Sequence, residues 1–110
     1  MEVLFVSEKL RRALSDYRAL QEQRGGEGAK KISLRLQQLA AAPTLDDLRS
    51  MPGRCHELAD TRKGQLAVEV HKGFRLIFRP SVDLAPRKSD GGLDWSAVES
   101  VTVIEVVDYH

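Results

Sequence analysis

The apolar periodicity of this chain changes once, and that change limits the folds open to it. Up to about residue 41 apolar residues recur at helical spacing; from Arg54 onward they alternate. Val3 to Val6 forms a short apolar run, read as a strand. Ser7 is placed to cap a helix that has Glu8 in its first turn. Leu10, Leu14, Tyr17 and Leu20 then predict an amphipathic helix over 8–23, which Gly25-Gly26 breaks. A second helix is predicted over 28–41, with Ile32, Leu36, Leu39 and Ala40 on one face and Pro43 after its end. Thr44 and Asp47 have capping-box spacing for one further turn, Leu45 to Arg49.

In the second half, Cys55 to Leu58 reads as a short strand. Leu66, Val68 and Val70 share one strand face, and Gln65, Ala67 and Glu69 the other. His71-Lys72-Gly73 supplies a tight turn. Phe74, Leu76 and Phe78 alternate with Arg75, Ile77 and Arg79 until Pro80 stops the strand. Val101 to Val107 reads as a strand buried on both faces. Residues 80 to 97 are the least regular stretch, with Trp95 as their large apolar anchor. The order is strand, helix, helix, then strands. This is an α+β chain, with two N-terminal helices packed on one face of a small antiparallel β-sheet. Its 110 residues suffice for a single domain, 1–110.

Composition narrows the function classes. With 42% hydrophobic and 30% charged residues the chain is ordinary globular material. No apolar run approaches the roughly 18 residues of a membrane span, and the N-terminal run is too short for a secretion signal, so a soluble, cytoplasmic protein without a membrane partner is expected. The single cysteine, Cys55, allows no internal disulfide and reads as a small buried hydrophobe in a reducing compartment. Histidines 56, 71 and 110 are too scattered for a local metal motif, and no metal or other cofactor is expected. Phosphate-loop, zinc-protease and nucleophile-elbow signatures are absent. The net charge of +1 conceals a basic middle: residues 48–80 carry seven basic and three acidic side chains, whereas 81–110 carry two basic and six acidic. A phosphate-bearing partner and a solvated mixed-charge surface both fit that distribution.

Some residues carry chemistry. Asp108-Tyr109-His110 follows a buried strand and offers three groups that move protons or hold charge; a frayed polar terminus is the other reading. Arg75 shares a strand face with Arg79, where a guanidinium fork suits a phosphate or a phosphorane, or merely blunts a sheet edge. His56, taken alone, reads as a structural histidine.

Four segments together resemble the HigB-type toxins, or plasmid-maintenance killer proteins, of the RelE/ParE superfamily. They are Met51-Pro52-Gly53-Arg54-Cys55-His56-Glu57-Leu58, Lys63-Gly64-Gln65-Leu66-Ala67-Val68-Glu69-Val70, Gly73-Phe74-Arg75-Leu76-Ile77-Phe78 and Val107-Asp108-Tyr109-His110. The resemblance covers residues 45 to 110; the first 44 fit in layout alone. It departs from the family at Cys55, where a leucine often precedes the histidine, and at Ala59, where a basic residue is common. The resemblance implies a RelE-like fold and a ribosome-dependent, metal-free mRNA endonuclease that inhibits translation. It also implies a cognate helix-turn-helix antitoxin of HigA type, with the ribosome and mRNA as further partners. His56, Arg75, Asp108, Tyr109 and His110 match the catalytic positions. His56 and His110 are the proton-transfer candidates, Asp108 tunes His110, Tyr109 donates a proton or stacks on a base, and Arg75 stabilises charge. Arg54, Arg62, Lys63, Lys72 and Arg79 are expected to bind RNA or the ribosome. Two other readings remain: a ParE-like toxin that binds DNA gyrase and cuts nothing, and an inert paralogue that only binds an antitoxin.

Overall fold

The computed structural model describes residues 1–82 and 85–108. Strand β1 (Glu2–Phe5) leads into α1 (Glu8–Ser15) and α2 (Tyr17–Ala41). A 3-10 turn over Leu45–Ser50 follows, then β2 (His56–Glu57), β3 (Leu66–Glu69), β4 (Phe74–Pro80) and β5 (Ser100–Asp108). The chain has the expected α+β architecture, with the helices on one face of a five-stranded sheet of order β1-β5-β4-β3-β2. Three of the four strand pairings are antiparallel, and β1 lies parallel to β5. The crossover between them contains almost the whole chain, and a short first strand does not announce such a partner.

The caps follow the sequence. Ser7 Oγ accepts from Leu10 N at 3.1 Å, and Thr44 and Asp47 form the capping box. The helix boundaries differ from expectation. Asp16 takes an extended conformation and accepts from Ala19 N, ending α1 and capping α2. The helical register therefore resets there, so Leu14 and Leu20 are buried while Tyr17 is 44% exposed. The glycine break is a kink inside α2, where Gly25 has φ +76°. Beyond it Ala29, Ile32, Arg35 and Leu39 are buried, and Ala40 is exposed. The buried stripe is thus rotated from the purely apolar face toward an arginine.

Leu66, Val68, Leu76, Phe78, Val101 and Val103 meet the helices in the core. Phe78, Leu66, Leu76, Val101 and Val103 are completely buried. The β4–β5 register slips between Ile77 and Phe78, pairing Ile77 with Glu105 but Phe78 with Val103. Ile104 is the extra residue of this bulge. The slip keeps Val101 and Val103 on the helix side while turning Glu105 and Val107 to the opposite face. Only the first part of β5 is closely buried, so the expectation of burial along the whole strand holds for Val101–Val103 and fails beyond them.

The 80–97 stretch is less irregular than its composition suggests. Arg87 bridges Leu93, Lys88 N donates to Gly92 O at 2.7 Å, and Asp94 N donates to Pro86 O at 2.9 Å. Trp95 anchors it, 5% exposed, with Nε1 donating to Glu57 at 3.0 Å and the Arg49 guanidinium 3.8 Å from its ring centre. Among the described residues, no helix is long and apolar enough to cross a membrane.

Candidate functional site

Strand alternation decides which groups meet. On the sheet face away from the helices, register aligns Glu69, Arg75 and Val107 across β3, β4 and β5. The neighbouring row is His56, Ala67, Ile77 and Glu105. Arg54, Cys55, His56, Glu69 and Arg75 line a shallow cavity of about 340 Å³. The structure therefore brings His56, Arg54 and Arg75 together from segments that are distant in sequence.

Glu69 organises this group, and the sequence reading gave it no role. Its Oε1 lies 3.6 Å from an Nη1 nitrogen of both Arg54 and Arg75. Its backbone is held on both sides, because Glu69 N donates to Gly53 O at 2.7 Å and Arg35 Nε donates to Glu69 O at 2.7 Å. Arg35 reaches the sheet from within α2 and is 6% exposed. Its pKa lies below the ordinary arginine value because burial disfavours the charge, with the Glu69 carboxylate opposing that effect. Gly53 has φ +115°, and a Cβ there would sit 2.9 Å from Arg35 Nε. Only glycine fits between this arginine and the strand.

His56 lies exposed on edge strand β2, and its Nδ1 is 2.8 Å from Arg54 O. A carbonyl oxygen only accepts, so in the neutral ring Nδ1 carries the hydrogen and Nε2 keeps its lone pair. Nε2 is then the proton acceptor. Cys55, beside it, is inert: burial pushes its thiol up to about 12, with Arg49 lowering the value and Glu57 raising it. A thiol protonated in the folded state and ionised in the unfolded state contributes stability below its unfolded pKa, and that contribution fades as pH rises toward the folded value. Denaturation midpoints measured between pH 8 and 11 should fall more steeply for the wild type than for Cys55→Ala. The difference should reach at most about 1.4 kcal/mol per pH unit.

The other anticipated residues are more dispersed. Asp108 is exposed and stands opposite Phe74 in register, so the pleat directs it to the helix side and away from Arg75. Tyr109 and His110 lie outside the described residues. Arg62 is committed internally: its fork donates to Gln65 at 2.9 Å and to Glu105 at 3.0 Å, spanning the face where Ala67 and Ile77 are fully buried. Lys63 and Arg79 line a 360 Å³ groove with Arg87, a further cation from the 80–97 stretch. Lys72 is at the exposed tip of the β3–β4 hairpin. Among the described residues no group of three His, Cys, Asp or Glu is placed to hold a metal ion.

No family model matches the sequence, and no curated protein does. The fold, however, is similar to that of the YoeB/ParE toxin from Agrobacterium tumefaciens, with a TM-score of 0.58 over 100% of both chains at 13% sequence identity.

Proposed function

We propose that this chain is the toxin of a type II toxin–antitoxin pair, of HigB type, and that it cleaves mRNA on the ribosome without a metal ion. One observation carries the reading: a histidine with its Nε2 lone pair available lines one cavity with two arginines joined through a carboxylate. The toxin fold shared with the Agrobacterium protein supports it.

The chemistry uses the RNA's own 2′-OH. His56 Nε2 removes its proton as the 2′-oxygen attacks the adjacent phosphorus. Arg75, with Arg54 beside it, stabilises the charge on the phosphorane oxygens. The P–O5′ bond breaks, the 5′-oxygen takes a proton from His110 or Tyr109, and a 2′,3′-cyclic phosphate and a 5′-OH result. Asp108, directed to the helix side of the sheet, takes no part at the cavity itself and would act through His110. Glu69 holds the two arginine forks at the cavity and is a positioning residue. Lys63, Arg79 and Lys72 supply ribosome and RNA contacts; Arg62, tied to Glu105, is assigned to the fold first. A HigA-like helix-turn-helix antitoxin would restrain the protein in the cytoplasm.

One transcript, assayed with and without its start codon in a translating extract, tests this reading. Cutting is expected only when the message is translated, at sites in phase with the reading frame. It should persist when a chelator is present at a concentration that leaves ribosomes intact. Equal cutting of both transcripts would exclude ribosome dependence. Inhibition of gyrase supercoiling without RNA cleavage would replace this proposal with the ParE-like one. Lys63→Gln with Arg79→Gln should weaken ribosome binding and lower its salt slope by about two, with the cavity residues untouched.

A further inference from the structure

On the opposite side of the sheet, at the hairpin end, a second cavity of about 240 Å³ is lined by Gln23, Arg24 and Gly28 of α2, and by His71, Lys72 and Phe74 of the hairpin. Ile32 and Val70 complete its apolar wall. Phe74 and Arg75 are successive residues of β4 and point to opposite faces, so this cavity is separate from the one that holds His56.

Its construction is specific. Arg24 is the last residue before the α2 kink at Gly25, and its guanidinium lies over the Phe74 ring at 5.2 Å from the ring centre. Arg24 Nε is buried and has no hydrogen-bond partner among the described residues. A buried donor left without an acceptor is unfavourable, and an incoming acceptor would relieve it. Gly28 makes the arrangement possible, because a Cβ there would lie 2.9 Å from Arg24 Cβ. Lys72 reaches the rim from the hairpin tip, where its own φ is +50° and that of Gly73 is +83°. Two cations, an imidazole and an orphaned N–H therefore converge on a small space with an apolar wall. Asp108, in register with Phe74, is the neighbouring carboxylate and has interactions of its own.

We propose that this cavity binds a phosphate monoester, with the phosphate between Arg24, Lys72 and His71 and the attached ring or sugar against Ile32 and Val70. A guanidinium fork, an ammonium and an imidazole approaching from helix and turn suit the several oxygens of a phosphate better than the two of a carboxylate. The volume is below the roughly 300–1,000 Å³ that encloses a drug-sized ligand. It therefore suits a phosphate with its attached sugar and leaves a nucleotide's base outside. This inference does not rest on the proposed nuclease activity.

The test is a nuclear magnetic resonance titration of the full chain with adenosine 3′-monophosphate, inorganic phosphate and adenosine. The first two should shift the Arg24 Nε–H and His71 ring signals saturably, and adenosine should not. Arg24→Gln and Lys72→Asn should each weaken the 3′-monophosphate by about tenfold, the loss of one charge-assisted contact. Asparagine tolerates the positive φ at position 72, so that variant decides the matter if Arg24→Gln does not fold. Shifts reproduced by sodium chloride at matched ionic strength, an equal response to adenosine, or affinities within twofold of wild type in the folded variants would overturn the proposal.

Discussion

Arg75→Ala should reduce cleavage of ribosome-bound mRNA by about 10²–10³-fold, the effect of removing one preorganised charge-stabilising donor from a reaction centre. Arg75 is fixed on three sides. Its strand is central in the sheet, its register neighbours are Glu69 and Val107, and Glu69 Oε1 lies 3.6 Å from its Nη1. A fork already in place requires little reorganisation as charge develops on the phosphorane. Arg75→Lys should recover part of the rate, since it restores the charge but not the planar fork. Glu69→Gln should act differently: it keeps the shape, loosens both arginines, and should lower the rate by less than Arg75→Ala does. Single-turnover cleavage with the thermal midpoint measured alongside separates these effects from unfolding. A folded Arg75→Ala variant that cuts at the wild-type rate would remove this arginine from the mechanism.

Arg35→Ala should cost about 3 kcal/mol of stability, because hydrogen bonds to a charged donor contribute about 1.5–3 kcal/mol. In a domain of this size that lowers the thermal midpoint by roughly 15 °C. The arginine is buried in α2 and donates to Glu69 O at 2.7 Å and to Gln38 Oε1 at 3.1 Å. Its removal leaves both acceptors without that donor and opens space beside Gly53. Arg35→Met fills the space and should cost less, while still releasing the strand at Glu69. If Arg35→Met retains most of its stability but loses cleavage, the link from helix to cavity acts by positioning. A midpoint for Arg35→Ala within 3 °C of wild type would show that the link contributes little.

The residues that were easy to read in the sequence are those governed by local physics. Alternation at Leu66–Val70 and Phe74–Phe78, the Ser7 cap, the Thr44–Asp47 box and the hairpin at His71-Lys72-Gly73 all depend on spacings of a few residues, and all appear in the structure. The residues missed depend on long-range choices. Asp16 behaves as a cap because the two helices must turn there, and helical spacing runs past it without a break. The Ile104 bulge has no signature in a run as uniformly apolar as Val101–Val107. Arg35 stands three residues after Ile32 and four before Leu39, on the buried stripe, but a charged side chain carries no apolar signal. Glu69 was within reach of local reasoning: a three-residue loop places it opposite Arg75, and both lie on the face away from the core. An acidic residue in a basic segment reads as charge balance, and that hides its role. His56 takes its meaning from its neighbour, since the Arg54 carbonyl sets the tautomer through a contact that depends on the folded backbone.

The pairing of β1 with β5 also bears on how the chain is made. Glu2 lies opposite Ser100, and β5 is the strand that joins β1 to the rest of the sheet. During synthesis, residues 2–5 leave the exit tunnel early and have no partner until residues 100–103 follow. Until then an emerging chain holds its helices and its β3–β4 hairpin, but the sheet remains in two parts. Joining them closes a loop of nearly the full chain length, a contact order associated with slow folding. Completion of the sheet thus waits for β5 to emerge, and a chain arrested short of β5 would be a substrate for proteases and chaperones.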